Sequence, residues 1–237
     1  MKSKKHWFLL LFLFSAFIFN TKAQSVNYSP WNNFLEKHVN DFGEVNYQTI
    51  KANQKELQAS LEIFSKIHPD DSWSKDETLA YWINAYNAFA IKLIVDNYPI
   101  KSIKDLKNPW DQKFIPIGKQ PMSLNEIEHD ILRKMNEPRI HFAIVCASKS
   151  CPKLLNEAYL PSKLDLQLTV ATEEFLSDES RNNITQDQIK ISKIFKWFTT
   201  DFTQNGSLID FLNQYTAVEI SPKAKRSYTN YSWDLNE

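Results

Sequence analysis

Apolar residues recur along this chain at helical spacing far more often than in strict alternation. Segments 30–39 and 47–67 read as helices. In the second, Leu57, Leu61 and Phe64 fall four and three apart, and His68-Pro69-Asp70-Asp71 supplies the stop. Segment 77–97 carries the strongest signal, opening after Ser74-Lys75-Asp76 and ending before Pro99. It is apolar nearly all round, with Leu79, Ala80, Trp82, Ile83, Phe89, Ile91, Leu93, Ile94 and Val95, which predicts a buried central helix. Segments 114–117 and 120–122 predict a short hairpin around Gly118. Ser123 with Glu126 forms a capping box for a helix running to residue 135. The β-branched and aromatic run 140–145 (IHFAIV) predicts a buried strand. Beyond it, 164–176 reads as a helix, 183–184 and 189–191 as a second hairpin, and 208–215 as a closing helix. The expected class is α+β, a mainly helical single domain with a buried central helix and a small, mostly antiparallel sheet.

Charge changes the picture at the start of the chain. Residues 1–23 hold Lys2, Lys4, Lys5 and Lys22 and no acid, and residues 7–19 (WFLLLFLFSAFIF) carry no charge. That run is too short to span a bilayer and fits the apolar region of a signal peptide, with Thr21-Lys22-Ala23 offering a cleavage site after Ala23. An uncleaved anchor is the rival reading of the same run. The expected mature protein is residues 24–237, one globular domain exported to the periplasm or the extracellular space and free of the membrane once cleaved. It keeps 24 basic against 28 acidic residues, a net charge of −4, with no basic cluster interleaved with aromatics. Nucleic acid is therefore not an expected partner. A core of useful size forms at this length without a metal or disulfide staple.

Three features could carry chemistry. Asn84 and Asn87 lie three apart on the apolar helix, where a buried amide needs partners; they fit either a structural network or a pocket lining. Trp82 and Tyr86, at i and i+4, read as core. Glu128-His129 lies at the edge of the next helix's apolar face, where a histidine can titrate near neutrality and act as a base, or simply be hydrogen-bonded at the core margin. No metal-ligand spacing accompanies it. The run His141 to Pro152 (HFAIVCASKSCP) places Cys146 at a strand end, followed by a small hydroxyl-rich loop with amides that could serve as oxyanion donors and Lys149 to favour a thiolate. On a strand His141 and Cys146 would face opposite ways, making His129 the better partner. The rival reading pairs Cys146 with Cys151 as a disulfide staple of about 2 kcal/mol. Their spacing is not that of a Cys-x-x-Cys redox motif.

Taken together, Tyr81 to Ala88 (YWINAYNA), Ser123-Leu124 with Ile127-Glu128-His129 and Leu132-Arg133, and His141-Phe142-Ala143 with Cys146-Ala147-Ser148 and Ser150-Cys151-Pro152 resemble the domain of unknown function 547 family. The resemblance runs from about 76 to 201, through Ile194 to Phe198 (IFKWF) and Asp201-Phe202, with residues 231–236 similar to the family's closing strand. It implies an exported bacterial member, no well-established activity, and a task for Cys146 beyond pairing.

Cysteine, histidine and an acid or amide are also the ingredients of papain-like and transglutaminase-like acyl transfer, although there cysteine precedes histidine. The expected function is a cysteine-dependent hydrolase or acyl transferase acting on an amide or ester of a peptide-like or small-molecule substrate, with no cofactor or metal needed. Cys146 is the nucleophile, His129 the base, Glu128 or Asn84 the orienting group and His141 the substitute base. Asn84, Asn87, Tyr86, Ser148 and Ser150 are the substrate-binding candidates. The alternative is a non-catalytic binding domain stapled by Cys146 and Cys151.

Overall fold

The computed structural model describes residues 26–237, so the expected signal peptide lies outside the described residues. Four helices open the fold: α1 (Ser29–His38), α2 (Tyr47–Ala52), α3 (Lys55–Lys66) and α4 (Lys75–Asn97). The helix expected over 47–67 is thus two helices. Asn53 turns extended and its side-chain oxygen accepts from Lys55 N (3.4 Å), a local bond that competes with helix continuation.

The central helix forms where its pattern places it. Ser74 accepts from Glu77 N while the Glu77 carboxylate accepts from Ser74 N, satisfying two orphan donors at once. α2 and α3 pack against it, and it is buried on every side along its middle.

The next stretch departs from expectation. Ser123 and Glu126 make the expected capping box (3.2 and 2.8 Å), but the helix behind it widens into a π turn over Glu126–Ile131 and then tightens to a 3-10 helix over Leu132–Met135. Such irregular turns often accompany functional sites, and both Glu128 and His129 lie on this one. The strand expected over 140–145 is absent. Residues Pro138–Phe142 form a 3-10 helix, started by Pro138 and by the Glu137 side chain accepting from Arg139 N. Beyond it, Asn87 takes the place of a neighbouring strand: its Nδ2 donates to Ala143 O (2.8 Å) and its Oδ1 accepts from Val145 N (2.9 Å). The apolar content of this run reports burial, which the amide makes possible without a sheet.

Helix α5 (Leu164–Ser177) follows, then β1 (Asn183–Ile184) and β2 (Gln188–Ile191), the short helices α6 (Ile194–Trp197), α7 (Thr199–Phe202) and α8 (Leu208–Leu212), and β3 (Lys225–Tyr228). The sheet is mixed, in the order β1-β2-β3. β1 pairs with β2 antiparallel, with Ile184 opposite Ile189, and β3 joins β2 in parallel. Segment 231–236 stays outside this sheet and laces two loops through isolated bridges, Ser102 to Asp234 and Ser148 to Leu235. The apolar side chains form two clusters. One surrounds α4 and reaches Ile144 and Cys151; the other, rich in phenylalanine, gathers Phe142, Phe175, Phe195, Phe202 and Phe211 with the inward side of β2. No helix among the described residues is long and apolar enough to cross a membrane.

Candidate active site

The two asparagines of α4 support the site from behind. Asn84 accepts from Trp31 Nε1 (3.1 Å) and Tyr159 N (3.0 Å) and donates to Ala80 O and Tyr159 O (2.8 and 2.7 Å). Its amide is fully spent and cannot orient a histidine. Asn87 is spent on Ala143 and Val145. Both are therefore structural, and neither lines the cavity between the two clusters.

That bracket fixes the chain just before Cys146. The following Ala147 has a left-handed backbone (φ 59°), a conformation that costs a residue with a Cβ about 1 kcal/mol or more. The turn folds Cys151 back onto Cys146. Both are free thiols, with their sulfurs 2.7 Å apart, longer than the ~2.05 Å of a disulfide bond. Cys146 N donates to Cys151 Sγ (3.1 Å), and the hydroxyls of Ser148 and Tyr231 lie 3.2 and 3.3 Å from the same sulfur. Burial raises the Cys151 thiol, but hydrogen bonds from the Cys146 side chain first, then from Ser148 and Tyr231, outweigh it and bring it down to about 6. Cys146 moves the opposite way, held protonated first by its contact with Cys151 and then by burial. The anionic charge of the pair is thus drawn to Cys151, the more buried sulfur but the one that accepts the hydrogen bonds.

Several expected roles in this loop change. Lys149 N donates to Asp234 O (2.8 Å) and Cys151 N to Ser148 O (3.0 Å), so neither amide is free as an oxyanion donor. Ser150 accepts from Ser232 N (2.8 Å) and is a tie for the C-terminal segment. Lys149 lines a separate cavity of about 540 Å³ behind Cys151 and Pro152. Arg181 clamps the loop from that side, donating to Cys151 O (2.9 Å) and Lys149 O (2.8 Å).

The histidines exchange roles. His129 is exposed, and its Nδ1 lies 2.8 Å from Arg133 Nη1. A guanidinium only donates, so Nδ1 must be bare and the ring proton sits on Nε2. His129 therefore presents an N–H donor, and both burial and the Arg133 charge hold its pKa down. Its orienting group is Arg133, not Glu128 or Asn84. His141, by contrast, is buried and donates from Nε2 to Asp201 Oδ2 (2.8 Å), leaving Nδ1 as the acceptor. Phe198 stacks on its ring with centroids 4.0 Å apart. Asp201 is fixed in turn by Arg133, whose Nε and Nη2 donate to its two oxygens (2.6 and 2.8 Å). Burial alone would raise the Asp201 carboxyl, yet the bonds from Arg133 and His141 hold it well below the usual range.

These groups meet around a cavity of about 230 Å³ lined by Tyr86, Glu128, His129, His141, Cys146 and Cys151, and walled by Trp110, Trp197, Phe198, Tyr231 and Trp233. Tyr86, read as core, is buried and also reaches the cavity. Its hydroxyl donates to Glu128 Oε2 (3.2 Å). Burial is the main reason that the Glu128 carboxyl rises to about 7. Asp201 and Arg133, which hold the two histidines, are the residues of this site that reading by pattern overlooked. Their signal was a single acid in the apolar run 194–202 and a single arginine following the Glu-His pair. Among the described residues no group of three or more His, Cys, Asp or Glu side chains is placed to hold a metal ion.

Residues 71–176 match the model of a protein family described as protein of unknown function, DUF547. No curated protein and no solved structure matches the chain. The match spans α4, the Glu128-His129 turn and the cysteine loop, while Asp201 and the Trp197, Tyr231 and Trp233 wall lie beyond it. The papain-like analogy finds no support in these comparisons. From α4 through α5 to Leu176, then, the chain is similar to the DUF547 family.

Proposed function

We propose that the cavity is the active site of a cysteine-dependent hydrolase or acyl transferase acting on an amide or ester. The supporting observation is His141, a base oriented by Asp201, lining the same cavity as the Cys146–Cys151 pair. Cys146 is the attacking sulfur because it is half-buried, whereas Cys151 is 3% exposed. As Cys146, the protonated member of the pair, forms its bond to the substrate carbonyl carbon, its proton passes to Nδ1 of His141, which burial keeps neutral until then. The carbonyl oxygen takes the negative charge and is met by His129 Nε2–H. Collapse breaks the bond to the leaving group, which takes its proton from His141. Water, or a second nucleophile in a transferase, then releases the acyl group from sulfur. Export through the basic, apolar N-terminus belongs to the same reading.

The test is the intact mass of the reduced protein after a brief exposure to 4-nitrophenyl acetate. One acetyl group on Cys146 is expected. His141→Gln should slow acylation by about 100-fold, the usual scale of a general base. Failure of the protein to acylate at all contradicts the proposal.

A second reading is a binding domain in which the two sulfurs, already in contact as free thiols, are oxidised to a Cys146–Cys151 staple. Under that reading the protein, never reduced, takes up no iodoacetamide, and Cys146→Ser lowers stability without weakening ligand binding.

A further inference from the structure

The charge distribution around the cavity bears on what enters it. We infer that the cavity receives a small, uncharged, apolar group of the substrate, an aryl or branched alkyl acyl part, and turns away carboxylates and phosphates. This rests on the reading of Cys146 as the acylated residue.

Size, wall and charge agree. An apolar cavity of about 150 Å³ is enough for a benzene-sized molecule, and this one has about 230 Å³ between aromatic side chains with Ile144 and Ile194 behind them. No lysine or arginine is among its lining residues. The nearest guanidinium, Arg133, has Nε, Nη1 and Nη2 committed to Asp201 and His129. Lys104 holds its ammonium 4.1 Å above the Trp233 ring and is not a lining residue. An anion entering would find no cationic partner and would face Glu128 and the cysteine pair. A cation could pair with the anionic sulfur, so it is anions that the cavity turns away. Desolvating an anion without a partner is unfavourable.

Two probes that share a ring and differ in charge test this: benzamide and benzoate, titrated against the tryptophan fluorescence of the reduced protein at pH 6.5. Benzamide is expected to bind at least about tenfold more tightly than benzoate. Trp197→Ala, at a residue 45% exposed and so dispensable for folding, should weaken benzamide selectively. Equal or tighter binding of benzoate, or no binding of benzamide, overturns the inference. A second arm compares acylation by the S-ethyl thioesters of benzoate and of succinate. Faster benzoyl transfer is expected, and equal or faster succinyl transfer overturns the inference. Loss of all acylation with benzamide binding intact would instead strike at the enzyme reading alone.

Discussion

The two apolar clusters are built differently. The first surrounds one long helix whose burial and caps are written in local sequence. The second is assembled from the end of α5, helices of four or five residues, a three-stranded sheet and a knot of phenylalanines drawn from residues 142 to 211. The candidate site lies where they meet. Tyr86 and the two cysteines come from the first and Ile194 and Phe198 from the second, with Asp201 on α7 next to Phe202 of the second. His141 sits at the seam, with Phe142 in one cluster and Ile144 in the other. The rigid cluster fixes the sulfurs. The more composite one supplies the acid that orients the base and the wall that shapes the cavity.

The largest expected effect comes from cutting the tie that holds the seam. Asn87→Ala leaves Ala143 O and Val145 N buried without partners, at about 1–3 kcal/mol each. Urea denaturation should show a loss of about 4 kcal/mol, and a loss under 1 would mean that the amide bracket is incidental. Phe142→Ala should cost a similar amount, about 3–5 kcal/mol, through a cavity in the second cluster alone.

Next comes a dependence on pH. The fold favours the neutral form of Glu128, whose carboxyl rises from 4.5 to about 7. The stability this contributes is complete below about pH 4.5 and is lost as pH rises through 7. Between those limits the protein should lose up to about 3 kcal/mol that Glu128→Gln retains. Denaturation curves of both proteins at pH 4.5 and 7.5 check the sign; parallel curves would show Glu128 to be ordinary. The smallest effect belongs to Ala147→Gly, which relieves the left-handed backbone at the cost of a more flexible unfolded chain. A gain of about 0.5 kcal/mol is expected, seen as a rise in Tm.

The same contrast explains what the sequence made visible. The central helix and its capping box follow from local pattern, as do α5, the β1–β2 hairpin and the Ser123–Glu126 box. Segment 140–145 deceived because Asn87, more than fifty positions earlier, supplies the bonds that a strand would have drawn from a sheet. The two asparagines stood out as polar residues in an apolar helix, yet only coordinates show that their amides are spent. Choosing between the histidines also lay beyond pattern. Asp201 is sixty positions from His141 and on a helix of four residues, and Arg133 fixes the ring proton of His129 through a contact between side chains. Long-range pairing of this kind leaves no periodic trace.

The central claim is that the cysteine pair carries a thiolate at neutral pH, poised beside the His141–Asp201 pair. Its most direct test is the rate of iodoacetamide alkylation of the reduced protein from pH 5 to 9, mapped to Cys146 and Cys151 by peptide mass, with Asp201→Asn in parallel. A single rapid alkylation within the pair, half-maximal near pH 6 to 7 and altered in Asp201→Asn, is the predicted result. Slow alkylation of both sulfurs only above about pH 8.5, the range of an ordinary thiol, would contradict it.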